Sequence, residues 1–254
     1  MSKVAVFGDA MLDIYHIGTA DRLSAEVPIP VVKITQHRTF RGGAGNVIAN
    51  LEALGVEVVD CTSDRNSGPQ QGPHKNRLMV GDHQIARWDT EDHCQQWSGE
   101  FPQGIDAVVI ADYNKGGVPR NVQWPRDLPM FVDTKLPPRM YPAWAWFFPN
   151  SAEYSKYEEE YDGLDQVVLK EGAHGVRMIS QGSTIHSVPA EAKIVRSVNG
   201  AGDTVMAAFV ESFLAGDDPF TCLVNANFAA AIAVEKPFTA TVTKEELRRR
   251  SHEY

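Results

Sequence analysis

Short apolar runs that end in a turn or an acidic residue recur along this chain. VAVFGD (Val4–Asp9), DAVVIAD (Asp106–Asp112), MFVD (Met130–Asp133), AWFFPN (Ala145–Asn150) and QVVLKEG (Gln166–Gly172) have the length and composition of buried strands. VEVVDC (Val56–Cys61) is another, placed after GGAGNVIANLEALG (Gly42–Gly55), which reads as a glycine turn entering a helix that stops at Gly55. Two hairpins are expected, one around Gly81-Asp82 and one joining GVRMIS to STIHSV. Helices dominate the C-terminal third. One runs from Gly202 to Leu214 before Gly216, and one from Pro219 to Lys236 after two aspartates. A last one opens on the capping box of Thr243 and Glu246.

Buried strands alternating with helices predict an α/β fold with a mainly parallel sheet. The runs IYHIG and IPVVKI and the first hairpin do not fit that rhythm, and they predict a small separate β lid from about 12–40 and 76–88. The polar stretch Thr62–Asn76 reads as a loop. Ligands in such sheets gather at the carboxyl ends of strands. Here those ends are Asp9, Asp112, Asp133, Asn150 and Lys170, more polar convergence than stability needs.

Composition narrows the function. The 254 residues hold 43% apolar and 22% charged side chains, enough for a full core in one domain spanning 1–254. The net charge of -9 argues against general nucleic-acid binding, which wants a basic face. Three scattered cysteines without a CxxC suggest neither a disulfide framework nor zinc, so a reducing cytoplasm is expected. The N-terminus reads as a strand rather than a signal peptide, and no apolar run is long enough to span a bilayer. The eight histidines show no metal pattern; His16, His37 and His174 read as incidental, and AWAWFF (Ala143–Phe148) reads as core rather than a stacking platform.

The candidate chemistry lies in NGAGDTVMAAFV (Asn199–Val210). Glycines at a helix mouth let successive amides converge on an anion, and Asp203 in the first turn stands where a base for an attacking alcohol would stand. A tight turn with an acidic first turn accounts for GAGD equally well, and no Walker A loop is present.

The rest of the chain bears on that choice. RGGAGNVIANLEALG and VNGAGDTVMAAF together resemble the two signatures of the ribokinase-like (PfkB) carbohydrate kinases. GDAMLDIYHIGTADRLSAEVPIPVVKI, RWD, ADYNKG, VDTK and PNSAEY, in that order, look like the D-glycero-β-D-manno-heptose-7-phosphate kinase branch, and the resemblance covers nearly the whole chain. It implies a ribokinase-like three-layer fold with a lid, and a Mg²⁺- and ATP-dependent transfer to the anomeric hydroxyl of a heptose 7-phosphate or similar sugar. The product would be the 1,7-bisphosphate, a precursor of nucleotide-activated heptose for lipopolysaccharide. By the resemblance Asp203 is the base and Gly200, Ala201 and Gly202 the anion hole. Asp13, Gly42, Gly43 and Asn46 match sugar-binding positions, and Asp112 joins them as a candidate. Arg87, Lys115 and Lys135 are candidates for the phosphate of the sugar or of the nucleotide. Asn150 and Glu153 form an N-x-x-E element for Mg²⁺. Lys170, Gly172, Gly175 and Asn227 fall on the nucleotide side. A homodimer through the lid is expected as well.

The chain departs from the family pattern at several places. Ser197 and Asn199 stand where Asp and Thr are usual, which bears on the phosphate and monovalent-cation surroundings, as does Phe238 in place of a glycine. Lys170 stands where Thr is common, which bears on room for the base. The chain also looks trimmed. A helix-and-strand insert is missing at Thr62–Asn76, and GVPRNVQWPRDLP, with three prolines, replaces a helix and is expected to leave the sheet less covered. Another PfkB sugar or nucleoside kinase, or a sugar-phosphate-binding protein without catalysis, are the competing readings.

Overall fold

The computed structural model describes residues 2–62, 72–90 and 93–252. Its main sheet has eight strands, numbered along the chain: β1 (Lys3–Gly8), β4 (Glu57–Asp60), β7 (Ala107–Asp112), β8 (Met130–Thr134), β9 (Trp146–Phe147), β10 (Val167–Lys170), β11 (Val176–Ser180) and β12 (Ser183–Val188). Their spatial order is β12-β11-β10-β9-β8-β7-β1-β4. Pairing is parallel from β4 through β10, and the β10–β11–β12 edge is antiparallel.

Alternation along β1 shows how the layers are divided. Val4 and Val6 face one side and pack with α1 (Ala44–Ala53), α4 (Ala201–Ala215), α5 (Pro219–Glu235) and Leu247 of α6 (Lys244–His252). Ala5 and Phe7 face the other side, with Tyr161 of α3 (Glu158–Asp162) and Tyr154 of α2 (Ser151–Lys156). The expected helix stops are present: Gly55 and Gly216 both take positive φ, and α6 opens on the reciprocal Thr243–Glu246 bonds. In AWAWFF, Ala145, Trp146, Phe147 and Phe148 are core, while Ala143 is exposed and Trp144 half-buried.

The proline-rich segment 117–130 contains no helix, yet the sheet is not bare there. Trp97 and Trp124 meet Phe7 edge-on at 4.9 and 5.2 Å, and Phe101 stacks on it at 5.8 Å. Rings carried on irregular chain do the covering that a helix would do, and Phe7 is fully buried beneath them.

The lid is larger than the sequence pattern suggested. β2 (Ala10–Leu23) and β3 (Pro30–Gly43) are 14-residue strands, and β3 runs straight into α1. With β5 (His74–Val80) and β6 (His83–Thr90) they form a four-stranded sheet in the order β3-β2-β5-β6. Thus His74–Asn76, expected as loop, is strand; residues 63–71 of that stretch lie outside the described residues. Hydrogen bonds with β2 on one side and β6 on the other override the polar composition of His74–Asn76.

The aromatic cover yields a stability prediction. Phe7→Ala opens a cavity beneath three rings and is expected to cost about 3–5 kcal/mol. Urea unfolding of the two proteins, followed by tryptophan emission, measures it.

Candidate active site

The geometry converges on Asp203. Gly200 precedes α4 with φ +78°, and a Cβ there would lie 2.4 Å from Asn46 Nδ2, so the turn requires glycine. No side chain caps α4. The Ala201 amide donates to the Val198 carbonyl at 3.4 Å and the Thr204 amide to the Gly200 carbonyl at 3.0 Å, which leaves the amides of Gly202 and Asp203 as the uncapped donors an anion could use. Asp203 is buried, at 6% exposure, in that first turn. Its Oδ2 accepts from Asn46 Nδ2 at 2.8 Å, and its Oδ1 from the Tyr113 hydroxyl at 2.6 Å. Burial pushes the carboxyl above the ordinary aspartate range, while the Tyr113 and Asn46 bonds pull it back. Burial and the neighbouring Asp203 charge hold the Tyr113 phenol well above its usual range, so it stays a donor.

Asp9 holds Tyr113 in place. It is fully buried, and its carboxylate accepts the backbone amides of Tyr113 (2.8 Å), Lys115 (3.0 Å) and Gly117 (2.7 Å). Lys75 and Lys135 approach the Tyr113 ring at 5.0 and 5.2 Å. Burial lowers the Lys75 ammonium, opposed by Asp13 and Asp203. Burial also acts to lower Lys135, but Asp133 and Glu153 outweigh it and raise the group.

A cavity of about 590 Å³ opens from Asp203. Gly200, Ala201, Gly202, Lys135, Asn150, Lys170, Gly172, Gly175 and Asn227, all singled out from sequence, line it. Ala190, Ala230, Ala231 and Val234 give it an apolar stretch of wall, with Glu191 also in the lining. Asn227 donates to the Pro189 carbonyl at 2.8 Å and so fixes part of that wall. Two ion pairs border the cavity, Lys170 with Asp133 and Lys135 with Glu153. Glu153 is buried rather than exposed. It forms a capping box with Asn150, whose side chain accepts the Glu153 amide at 3.0 Å while Glu153 Oε2 accepts the Asn150 amide at 2.9 Å.

The lid meets the site outside that cavity, where Lys75 approaches the Tyr113 ring. Asp13 and Tyr15 on β2, and Lys75 and Arg77 on β5, alternate onto one lid face together with Arg87 and Asp89 of β6. Asp13 is buried and paired with Arg77 at 2.8 Å. A Cβ on Gly42 would lie 3.0 Å from Asp13 Oδ2, so bare backbone is needed there too. Gly43, at φ +56°, turns β3 into α1 and so delivers Asn46. Arg87 pairs with Asp89 at the half-exposed lid edge and does not line the cavity.

Two sequence-based expectations change. Asp112, expected to face the substrate, instead has its carboxylate taken by the Asn114 amide, Arg120 and the Tyr141 hydroxyl. It is a buried anchor for the loop after β7, because three donors from that loop and its surroundings reach it first. Lys115 contributes its backbone to the same loop, its amide bonding Asp9 and its carbonyl accepting from Cys94. Phe238 keeps φ +64°, a region natural to glycine, but its ring lies on Phe40 and Tyr15 of the lid and does not line the cavity. Asn199 likewise donates to the Tyr15 hydroxyl at 3.0 Å. Tyr113, Lys75 and Arg77 were not singled out from sequence. The only signals were that Tyr113 lies within ADYNKG and Arg77 within the lid hairpin, whereas Lys75 fell in the stretch expected as a loop.

This arrangement, a layered sheet with a β lid and an uncapped helix mouth beside a buried aspartate, is that of a ribokinase-like kinase. Solved structures agree on the fold. A nucleoside kinase of Methanocaldococcus jannaschii, an archaeal member of the ribokinase family, superposes with a TM-score of 0.72 at 17% identity, over 100% of this chain and 99% of that one. Ribokinase of Arabidopsis thaliana, solved with ribose and ATP, gives 0.65 at 17% identity, over 98% of both chains. The family model described as pfkB family carbohydrate kinase matches residues 143–246. Among curated relatives, the bifunctional protein HldE of Coxiella burnetii is 29% identical over 304 residues, and that of Pseudomonas fluorescens 30% over 299. These alignments take in 99% and 98% of this chain but 64% and 63% of the relatives, so the chain spans under two thirds of their length. An alignment of 304 positions against 254 residues also means that the relatives carry residues absent here.

The buried charge predicts a pH-dependent stability. Asp203 has a folded-state proton affinity raised by burial, so the folded protein binds that proton more tightly than the unfolded one, and stability falls as pH rises. Asp203→Asn removes the cost of charging. It is expected to melt higher than the wild type at pH 7, by about 2–4 °C per kcal/mol relieved, with the gap narrowing toward pH 4. Paired melting curves across that range check it.

Proposed function

We propose that this protein is a carbohydrate kinase that moves the terminal phosphoryl group of ATP to a hydroxyl of a phosphorylated sugar, a heptose 7-phosphate being the favoured acceptor. The observation that carries the reading is the cavity that joins an uncapped helix mouth and a buried aspartate to an apolar stretch of wall that includes Ala190, Ala230, Ala231 and Val234.

Asp203 takes the proton of the acceptor hydroxyl through Oδ1 or Oδ2, Tyr113 and Asn46 holding the carboxylate in place. The acceptor oxygen bonds the terminal phosphorus, the bond to the bridging oxygen breaks, and ADP leaves with that electron pair. The proton on Asp203 then passes to solvent. Amides at this helix mouth meet the charge on the transferring group. Asp13, with Gly42, Gly43 and Asn46, reads the sugar hydroxyls, and Lys75 and Arg87 on the same lid face attract the sugar's own phosphate. The cavity's apolar stretch takes the nucleotide base beside Asn227, Gly172 and Gly175.

Among the described residues no group of three or more His, Cys, Asp or Glu side chains stands ready to hold a metal ion. Asp133 and Asn150 line the cavity, Asp133 accepting from Lys170 and Asn150 accepting the Glu153 amide, while Glu153 is engaged by Lys135 and Asn150. This donor set fits a hydrated Mg²⁺ that arrives with the nucleotide, with Asn150, Glu153 and Asp133 holding its waters. When bound, the ion neutralises phosphate charge.

Two further features agree with the expected setting. No helix of the described residues is long and apolar enough to cross a membrane, and Cys61, Cys94 and Cys222 are buried thiols outside any disulfide, which suits a reducing compartment such as the cytoplasm. The lid leaves Ile34, Ile85 and Trp88 exposed, which supports a homodimer through the lid. Sedimentation should then give twice the chain mass, and Trp88→Glu should shift it toward monomer.

The test of function is a coupled assay with Mg-ATP over heptose 7-phosphate, unphosphorylated heptose, ribose, fructose 6-phosphate and nucleosides. Heptose 7-phosphate should turn over best, and Asp203→Asn should lose about 10²–10⁴-fold in kcat while folding normally. Near-wild-type turnover in that variant would remove Asp203 from the mechanism. Calorimetry that finds sugar phosphate bound but no Mg-ATP would favour a binding protein instead.

A further inference from the structure

The lysine at the end of β10 stands where electrostatics would ordinarily place an anion. Its side chain lies across Gly202, so that a Cβ on that glycine would sit 3.2 Å from Lys170 Nζ and 3.6 Å from Cδ. The ammonium therefore lies against the first turn of α4, the positive end of the helix, which has no side-chain cap. Two positive features facing one another repel. Here Asp133, reaching over from β8, offsets them by accepting from Lys170 Nζ, and both side chains are nearly buried, at 11% and 7% exposure. One carboxylate oxygen uses one of the three ammonium donors. An anion placed between Lys170 and the helix mouth would be attracted by both.

The position along the cavity says which anion. Lys170 lines the same cavity as Asp203, and its charge acts on the Asp203 carboxyl. The apolar wall of Ala190, Ala230, Ala231 and Val234 is the stretch suited to a base. A polyphosphate running from that stretch toward Asp203 brings only its terminal phosphoryl group to the acceptor, and hence to Lys170. We propose that Lys170 contacts the terminal phosphoryl group of a nucleoside triphosphate directly and makes the site select triphosphate over diphosphate. It stays with the equatorial oxygens of that group as the bond to the bridging oxygen breaks and the bond to the acceptor oxygen forms. This assignment rests on the kinase reading above.

The experiment measures binding of Mg²⁺ with the β,γ-imido analogue of ATP, and of Mg-ADP, by calorimetry on the full chain, with steady-state kinetics alongside. A charge-assisted hydrogen bond is worth roughly 10–100-fold in affinity. Lys170→Met should therefore lose about that factor for the triphosphate analogue and less than about twofold for ADP, with kcat falling as well. Lys170→Arg should keep the preference. Because Lys170→Met leaves Asp133 buried and unpaired, the double variant with Asp133→Asn removes both charges and should show the same selective loss. Equal losses for both nucleotides, in a wild type that phosphorylates sugar, overturn the role of Lys170 and leave the kinase reading standing. A wild type that binds neither nucleotide overturns the kinase reading and this assignment together.

Discussion

A carboxylate buried at a helix mouth is the constraint around which this molecule is arranged. Asp203 can stay in place only if its oxygens find donors, and those donors come from distant parts of the chain: Asn46 on α1 and Tyr113 after β7. Each donor has its own support. Gly43 turns the chain into α1, and Asp9 gathers the amides of the loop that carries Tyr113. Burial raises the proton affinity of Asp203, and the hydrogen bonds from Tyr113 and Asn46 oppose that rise.

The same need for partners ties the cradle to the lid. Thr239 donates its proton to Asp13, so the Tyr15 hydroxyl donates to Thr239 and in turn accepts from Asn199. This chain of bonds runs from the residue before Gly200 to the Asp13–Arg77 pair on the lid. Phe238 packs on the same Tyr15 ring. The departures at Asn199 and Phe238 thus bear on how the lid meets the cradle, and the nucleotide cavity is untouched by either side chain. Of the departures, Lys170 alone enters the cavity wall.

The short chain solves its covering problem with rings. Where the sheet face behind β1 lacks a helix, Trp97, Phe101 and Trp124 close over Phe7 from irregular segments. Large rigid side chains bury much area per residue ordered, which suits a segment whose prolines forbid a helix.

Much of this was legible in the sequence. Strands and helices whose periodicity is strong, the stops at Gly55 and Gly216, the lid hairpin and the glycine turn that opens a helix at Gly200–Asp203 all follow from local rules, because backbone freedom and apolar spacing are properties of neighbours in the chain. Legible, too, were the residues lining the cavity, since strands of a parallel sheet deliver their carboxyl ends to one edge. Tertiary structure decided the partners. It turned Asp112 into a loop anchor and Glu153 into half of a capping box, it made a strand of His74–Asn76, and it brought Tyr113, Lys75 and Arg77 to the site. A sequence names which groups can donate or accept a hydrogen bond. Which donor reaches a buried carboxylate first depends on distances between segments far apart in the chain, and only packing sets those.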